Sequence, residues 1–307
     1  MTVNSNIETT LKSCDTEEWL DLYFTRPLGY LWVKLFARLH VHPNIVTIFS
    51  IFLGVGAGFC FYFEDLRWTI CGIFLLVWAN IYDSCDGQLA RMTGQKTKLG
   101  RILDGFAGDA WFFTIYFFIC LRLTPVWGVW IWLLAALAGL ICHAKQCQLA
   151  DYYRNVHLFV LKGKSGSELD SSAKVKADYE TLRWGNDFIQ KLFLYFYIGY
   201  TKSQEQMTPS FQHLRAALQA KIGEQSWPEQ LRKDFRQGSL PLMKYANILT
   251  FNTRAIVLYI SLLCFVPWAY FIFEITVMNV LFFYMRQRHE QLCRQLNQNL
   301  PTYEASI

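Results

Sequence analysis

Charged residues are scarce in this sequence, and their scarcity excludes most soluble folds. Of 307 residues, 17% are charged and 53% are hydrophobic, whereas soluble domains carry about 25% charged residues. Such a composition excludes a disordered chain, a coiled coil and a small disulfide-bonded domain, and it is a poor fit to an ordinary soluble enzyme. The composition therefore predicts a polytopic membrane protein.

The sequence also lacks a cysteine framework and a strong charge of one sign. Its nine cysteines are odd in number and include no CxxC pair, so we expect free thiols rather than disulfides. The net charge of +5 is modest. It fits a membrane surface at least as well as nucleic acid, and no nucleic-acid partner is expected.

Six apolar runs have the composition of membrane spans, and several approach the required length. They cover residues 45–63, 68–82, 102–121, 126–142, 255–270 and 271–285. The last two form one run, which we interpret as a hairpin with a break near Pro267. The expected fold class is therefore all-α, with about six transmembrane helices.

Lysine and arginine are distributed asymmetrically about these spans. If the N-terminus is cytoplasmic, all of them except Arg67 and Arg122 lie in segments on the cytoplasmic side. The positive-inside rule then places both termini in the cytoplasm. We therefore expect an integral protein of the inner (cytoplasmic) membrane.

The spans divide the chain into five segments, with the boundaries 1–44, 45–142, 143–254, 255–285 and 286–307. In order, these are a cytoplasmic N-terminus, spans one to four, a cytoplasmic or interfacial insertion, spans five and six, and a cytoplasmic tail. Within the first, residues 17–40 have the spacing of an amphipathic helix that lies on the membrane interface or packs on the bundle. Within the insertion, residues 184–200 are apolar but short, and we interpret them in the same two ways rather than as a seventh span.

Four aspartates stand around the end of the second span and the start of the third. Asp83 and Asp86 are three residues apart and share one helix face, while Asp104 and Asp109 follow on the next helix. One aspartate at a helix centre costs about 2.5–3.5 kcal/mol on insertion scales. Four together repel one another, so they require cations for neutralisation.

Arginines and divalent metal can neutralise these aspartates. Arg91 and Arg101 supply two positive charges, and because the ligands are carboxylate oxygens, Mg²⁺ or Mn²⁺ fits better than zinc. Gly87 and Ala90 remove side-chain bulk beside the aspartates, so that a ligand or another helix can approach the backbone. Two such cations suit a diphosphate. A divalent-cation channel or carrier is an alternative, but it leaves the small residues unexplained.

The spacing of these residues resembles a family signature. The pattern Asp83-x2-Asp86-Gly87-x2-Ala90-Arg91-x8-Gly100-x3-Asp104 is similar to that of the CDP-alcohol phosphotransferases (CDP-alcohol phosphatidyltransferases), which make phospholipids in membranes. The resemblance covers roughly residues 30–150 and includes the Pro43-Asn44-x2-Thr47 entry to the first span. It implies an enzyme that transfers a substituted phosphate group from a CDP-linked donor to an acceptor hydroxyl and releases CMP.

The resemblance also implies a role for each residue of the motif. The residues implied to hold two Mg²⁺ or Mn²⁺ ions are Asp83, Asp86, Asp104 and Asp109. Those implied to line the cytidine and phosphates of the donor are Gly87, Ala90, Arg91 and Gly100. Asp109 is implied to be the catalytic base.

One departure from the signature affects that base. The family pattern puts its last carboxylate at position 108, where this chain has Gly108, followed by Asp109. On a regular helix, one residue rotates the side chain by about 100°. We expect a one-residue π-bulge, made easy by Gly105 and Gly108, to bring Asp109 back into line. The alternative is a relative that has lost catalysis.

The implied partners are a CDP-linked lipid, a polar alcohol acceptor and membrane lipid, and the resemblance allows a homodimer. We expect a phosphatidyl-type or ceramide-phosphate-type group to move to a polar hydroxyl, with inositol or inositol phosphate ranked first. A CDP-ethanolamine or CDP-choline type of phosphotransferase that acts on a lipid alcohol is the alternative. A phosphorylated acceptor needs cations, and the candidates are Lys145, Arg154, Lys162, Lys164 and Arg254, although membrane-flanking charge explains them as well.

Two further patterns are interpreted as structural. His143 and Cys147 are four residues apart, but no third ligand is evident, so they are predicted to be flanking polar residues. Gly54, Gly56 and Gly58 alternate inside an apolar span, and this pattern predicts close helix packing rather than a dinucleotide site.

Overall fold

Helices make up the regular structure of the chain in the computed structural model, which describes residues 13, 15–163, 167, 169–185, 187–223 and 227–304. No strand occurs within these ranges, and the predicted all-α class is confirmed. The helices are α1 (Arg26–Arg38), α2 (Pro43–Cys60), α3 (Leu66–Thr93), α4 (Lys98–Trp127), α5 (Trp130–Ala136), α6 (Ala144–Lys162), α7 (Ser172–Thr181), α8 (Phe188–Met207), α9 (Pro209–Ile222), α10 (Glu229–Ile248), α11 (Phe251–Leu263), α12 (Trp268–Ile275), α13 (Val277–Gln298) and α14 (Leu300–Glu304).

Within the described residues, six helical segments are long and apolar enough to cross a membrane. They are Pro43–Cys60, Leu66–Thr93, Ile102–Trp127, Trp130–Lys162, Glu229–Leu263 and Trp268–Gln298. The predicted number of spans is confirmed, and the apolar stretch 184–200 is not among them. Most segments are longer than the apolar runs, because helical hydrogen bonding continues into the polar residues that flank them.

Local chemistry fixes the connection between α3 and α4, which flanks the aspartate motif. Helix α3 starts where Asp65 accepts a hydrogen bond from the Arg67 amide at 2.7 Å, and it ends at Gly94, whose φ of 71° is left-handed. Helix α4 starts where the Thr97 hydroxyl accepts from the Gly100 amide at 2.9 Å. Side-chain caps and a left-handed glycine are the expected start and stop of a helix.

Glycines allow α2 to pack closely on α4. A Cβ atom at Gly54 would lie 2.1 Å from Cδ1 of Trp111, and one at Gly58 would lie 2.9 Å from Oγ1 of Thr114. Neither position has room for a side chain. The predicted role of these two glycines in close packing is confirmed, because lipid offers little driving force and small residues let helix backbones meet.

Helix α1 is amphipathic and uses one face to pack on α3. A turn of π-helix, Asp21–Thr25, leads into it, and Val33 joins a small core with Cys85 and Leu89. At Gly29 the close neighbours are Gln88 and backbone of α3. The opposite face exposes Leu31, Leu35 and Leu39. The two predicted positions for this helix are therefore compatible: one face packs on the bundle while the other is open to lipid.

The hairpin between spans five and six breaks where the sequence predicts. Helix α11 ends at Leu263 and α12 starts at Trp268. Between them Phe265 has a φ of 60°, and Pro267 caps the second helix. Proline suits the first turn of a helix but not its interior, so the apolar run divides at this point.

The chain divides into two compact units. Unit 1 contains Met1–Ala144 and Phe251–Thr276, and unit 2 contains Lys145–Thr250 and Val277–Ile307. The core of unit 1 is rich in aromatic side chains, such as Trp111 and Phe271. In unit 2, Tyr153 stacks on His289 with ring centroids 3.8 Å apart. All four motif aspartates belong to unit 1.

Candidate functional site

Three of the motif aspartates converge at the α3–α4 connection. One carboxylate oxygen from each of Asp83, Asp86 and Asp104 lies within 4.8 Å of the other two. Asp83 and Asp86 meet because three residues bring side chains to the same face of α3, and Asp104 comes from the second turn of α4. The fourth predicted ligand, Asp109, is not part of this group.

The group is partly closed off from solvent, and one of its buried oxygens has no hydrogen-bond donor. Asp86 is buried, and its Oδ2 accepts a hydrogen bond of 2.5 Å from the Thr47 hydroxyl of α2. Asp83 Oδ1 is buried and has no hydrogen-bond partner. A buried carboxylate oxygen without a donor is costly.

A divalent cation fits this arrangement. The three aspartates offer carboxylate oxygens close enough to share an ion, and hard oxygen donors suit Mg²⁺ or Mn²⁺. The unpartnered oxygen of Asp83 points to the same conclusion, because a bound cation would supply the missing interaction. The identity and number of the ions stay predictions.

The small residues of the motif leave room for side chains that lie beside the aspartates in the sequence or on α2. A Cβ atom at Gly87 would lie 3.4 Å from both terminal nitrogens of Arg91, so the guanidinium lies over this glycine. A Cβ atom at Gly100 would lie 2.8 Å from Oδ1 of Asn44, so glycine lets the Asn44 side chain of α2 lie close to the backbone of α4. Ala90 is half-buried on α3. The side chain of Arg101 is outside the part of the chain that the structure describes.

The predicted π-bulge before Asp109 is wrong. Helix α4 is a regular α-helix from Lys98 to Trp127. On such a helix Asp109 lies about 140° around the axis and about 7.5 Å along it from Asp104. Local α-helical hydrogen bonds are satisfied without the bulge, so nothing in the segment forces the extra residue out of register.

A bare strip of helix surface connects the two aspartates of α4. At about 100° per residue, Gly108 and Gly105 lie at about 40° and about 100° from Asp104, between it and Asp109. A Cβ atom at either glycine would have no neighbour within 4 Å. This strip, Gly105 and Gly108, is therefore open space between the metal-ligand group and Asp109.

Asp109 lies at an apolar cavity rather than among the other aspartates. The cavity has a volume of about 410 Å³. Its lining includes Asp109, Phe112, Tyr116, Trp132, Gly139 and His143. It can accept an apolar group, and Asp109 and His143 are the titratable groups that face it together with Tyr116 and Cys120.

Three of the predicted acceptor cations already have partners within their own units. Arg154 donates to Oδ1 of Asn247 at 2.6 Å, and Lys145 donates to the Ser203 hydroxyl. Arg254 is fully buried against Glu274. Lys162 also has an interaction within the structure, and Lys164 lies outside the described residues.

Two contributions to this region were not predicted from the sequence. His143, interpreted as a flanking polar residue, lines the cavity with Asp109. Gln88, inside the motif, donates to the Arg26 carbonyl at 3.3 Å and so joins α3 to α1. The lone Glu274 in an apolar span was a usable signal for His143, because a buried acid requires partners nearby.

Part of the chain is similar to proteins of known families. Residues 40–157 match the family model described as CDP-alcohol phosphatidyltransferase. An archaetidylinositol phosphate synthase of Pyrococcus horikoshii is 38% identical over 71 residues, which is 23% of this chain and 36% of that protein. Cholinephosphotransferase 1 of Saccharomyces cerevisiae is 32% identical over 109 residues, or 29% of this chain and 25% of that protein.

A third relative carries no functional description. It is an uncharacterized protein of Aquifex aeolicus, 42% identical over 73 residues, which is 24% of this chain and 35% of that protein. The chain thus covers about a third or less of the length of these relatives. No solved structure matches the chain. The family match includes all four motif aspartates and His143.

Proposed function

We propose that this protein is a CDP-alcohol phosphotransferase, because residues 40–157 match the family model described as CDP-alcohol phosphatidyltransferase. It transfers a substituted phosphate group from a CDP-linked donor to an acceptor hydroxyl and releases CMP. The observation that carries the proposal is the convergence of Asp83, Asp86 and Asp104 on one point. Three carboxylates in an apolar bundle are costly unless they serve to hold cations.

The three aspartates hold the divalent ions of the proposed enzyme. Asp83, Asp86 and Asp104 would hold Mg²⁺ or Mn²⁺, two ions in our proposal, and these ions would supply positive charge for the diphosphate. Thr47 fixes the direction of the Asp86 carboxylate through its hydrogen bond. Arg91, which interacts electrostatically with Asp86, adds a fixed positive charge beside the phosphates.

The bare strip gives the substrates a path between the group of three aspartates and Asp109. With no side chain at Gly105 or Gly108, the donor phosphate near Asp104 and an acceptor near Asp109 can meet across the helix surface. Asp109 takes the proton of the attacking hydroxyl. A bond then forms between the acceptor oxygen and phosphorus, and the bond between phosphorus and the CMP oxygen breaks.

Two acceptor classes follow from two different observations. The first is a polar alcohol, inositol or inositol phosphate, with a CDP-linked lipid of phosphatidyl or ceramide-phosphate type as donor. A relative described as archaetidylinositol phosphate synthase supports it. The second is a lipid alcohol with a soluble CDP-alcohol as donor, and the apolar cavity at Asp109 supports it, as does the relative described as cholinephosphotransferase.

The proposed enzyme works in the inner (cytoplasmic) membrane with its site on the cytoplasmic side. The basic residues of the segment 83–101 support this orientation. A water-soluble CDP group then reaches the aspartates from the cytoplasm, while lipid enters between helices. A homodimer is part of the proposal and is tested by the mass of the detergent-solubilised protein.

The decisive experiment is a CMP-release assay with the full chain in proteoliposomes containing Mg²⁺ or Mn²⁺. Radiolabelled CDP-diacylglycerol is offered with a panel of polar alcohols, and radiolabelled CDP-ethanolamine with diacylglycerol. We expect one pairing to release CMP and Asp109→Asn to abolish the release. No CMP from any pairing, with metal flux into the vesicles instead, would reject the proposal in favour of a cation channel or carrier. Full activity of Asp109→Asn would reject only the base.

A further inference from the structure

A buried ionic cluster in unit 1 has no role in the proposed chemistry so far. Arg254 of α11 and Glu274 of α12 are both fully buried and form an ion pair. Both lie in segments that are apolar enough to span a membrane. Ionisable groups at such positions are expensive and, as a rule, serve a function.

The ion pair is completed by a histidine that faces the cavity. Arg254 Nη1 donates to His143 Nδ1 at 2.9 Å. The histidine Nδ1 is also 3.7 Å from Glu274 Oε1. His143 also lines the cavity that contains Asp109. The histidine is therefore the link between the buried charges and the proposed base.

The arginine fixes the protonation of this ring. A guanidinium offers only donors and stays charged, so His143 Nδ1 must be the acceptor of the hydrogen bond. The hydrogen of the neutral imidazole is then on Nε2. A proton on Nδ1 would oppose the N–H of Arg254. The ion pair thus selects one neutral tautomer, with Nε2–H as a donor.

The backbone around His143 is unusual in a way that aims the ring. Residues Leu137–His143 form a π-helical segment between two α-helices, and such segments often occur at functional sites because they rotate side chains out of the ordinary register. The ring packs on Phe112 at a centroid distance of 4.5 Å. With Nδ1 directed to the ion pair, the opposite ring edge is directed away from it.

We propose that His143 is a positioning residue for the base: once an acceptor occupies the cavity, its Nε2–H donates to the Asp109 carboxylate and fixes the direction of that carboxylate. In the structure, the two side chains line the same cavity and are not hydrogen-bonded to each other. The inference rests on the proposed function, in which Asp109 takes the acceptor proton. His143 interacts electrostatically with Asp109. The other side-chain donors of the cavity lining have partners elsewhere: Trp132 donates to Thr124, Cys120 to the Ile131 carbonyl, and the Tyr116 hydroxyl lies 3.4 Å from His143 Nδ1. A hydrogen bond to a charged acceptor is the stronger kind.

The first test reads the tautomer and needs no substrate. The full chain is labelled with ¹⁵N-histidine in lipid nanodiscs, and His143→Gln assigns the His143 signals by their loss. We expect hydrogen on Nε2 alone, and an Nε2 resonance that moves in Asp109→Asn. A ring protonated on Nδ1, or an Nε2 resonance that ignores Asp109→Asn, overturns the proposal. This result stands even if the protein releases no CMP and the proposed function fails.

The second test separates positioning from folding by kinetics. His143→Ala lowers kcat by roughly 10–100-fold, the loss typical for a hydrogen-bond partner that orients a functional side chain. The KM for the CDP donor stays unchanged, because in the proposed function the donor binds at Asp83, Asp86 and Asp104 and not at Asp109. His143→Gln, which keeps a donor near Nε2, recovers most of kcat, whereas His143→Asn does not.

A matched control is available in unit 2. His213 is exposed on α9, and His213→Gln leaves kcat unchanged. The proposal is contradicted if His143→Gln and His143→Ala lose activity equally while both keep the melting temperature of the parent. It is also contradicted if His143→Ala raises the donor KM and leaves kcat intact.

Discussion

At the scale of single residues, the unpartnered oxygen of Asp83 and the buried carboxylate of Asp86 dominate the site. The Asp86 carboxylate accepts hydrogen bonds from the Thr47 hydroxyl and the Gly87 backbone, whereas Oδ1 of Asp83 has no hydrogen-bond partner. A cation shared with Asp104 would balance both carboxylates.

The metal role of Asp86 can be tested with a control from the same helix. In Asp86→Asn we expect Mn²⁺ binding to weaken and CMP release to fall by about 100-fold or more, the loss typical when a group that stabilises transition-state charge is removed. Asp65→Asn preserves the N-cap of α3, and we expect it to leave Mn²⁺ binding and CMP release unchanged. Binding is measured by electron paramagnetic resonance of Mn²⁺ and activity by released CMP. Undiminished Mn²⁺ binding in Asp86→Asn contradicts the metal role.

The bare strip gives a second prediction at this scale. Gly105→Leu adds a helix-forming side chain in open space, so the protein stays as stable or gains up to about 1 kcal/mol. The new side chain stands between the two aspartates of α4, and we expect CMP release to be lost. Gly199→Leu on α8, which also has open space, should gain the same stability and keep its activity. If Gly105→Leu is fully active, the substrates do not cross the strip.

At the scale of elements, the approach of α2 to α4 holds the site together. Thr47 lies near the start of α2 and Asp104 near the start of α4, so their separation depends on how closely these helices pack. Gly54 determines this closeness, because its Cα meets the indole of Trp111. A change at Gly54 therefore acts on the site from a distance.

Gly54→Ala tests this dependence. The added Cβ would lie 2.1 Å from Trp111 Cδ1, and overpacking of this kind costs roughly 1–3 kcal/mol. Gly56→Ala is the control, because its Cβ would lie 3.6 Å from Leu75, an ordinary contact. We expect a lower melting temperature for Gly54→Ala only, measured in detergent by intrinsic fluorescence. Equal melting temperatures for the two variants would mean that α2 can move away from α4 without a loss of stability, which contradicts the prediction.

Local spacing accounts for the elements that the sequence predicts correctly. Apolar runs define the six spans, Pro267 defines the hairpin, and the spacing of Asp83 and Asp86 brings them to one face because three residues make nearly one helical turn. Each of these features depends on residues close in the chain. They could therefore be predicted without knowledge of the packing.

The features that were not predicted depend on distant residues. The absence of a bulge before Asp109 and the π-helical segment at Leu137–His143 are both choices between similar helical registers. Packing decides such choices, as it does the pairing of Arg254 with Glu274 and His143. The position of Asp109 in the sequence favoured a π-bulge in α4. The π-helical segment of the structure is instead Leu137–His143, which lines the same cavity as Asp109.

At the scale of the whole molecule, the orientation of the spans in the membrane is the open prediction. Helix α3 has 28 residues and is about 42 Å long at 1.5 Å per residue. Its two ends, near Arg67 and Lys96, are therefore on opposite sides of a bilayer whose apolar core is about 30 Å thick. The positive-inside rule assigns the Lys96 end to the cytoplasm.

Cysteine labelling in intact cells tests this orientation. We expect a membrane-impermeant maleimide to label Arg67→Cys and to spare Lys96→Cys until the cells are opened. Both positions are exposed, and the parent chain, with its exposed Cys71 and Cys264, gives the background. Labelling of Lys96→Cys from outside would reverse the assignment and place the aspartate group on the other face.

The buried pair of Arg254 and Glu274 also constrains how the chain is made. Arg254 alone imposes about 2.5–3.5 kcal/mol on the insertion of its own span, and a lone Glu274 is also costly there. Only a short turn separates the two helices. Either helix alone would carry an unpaired charge from the translocon into the lipid. The two should enter the bilayer as one body during biogenesis, with their opposite charges already joined.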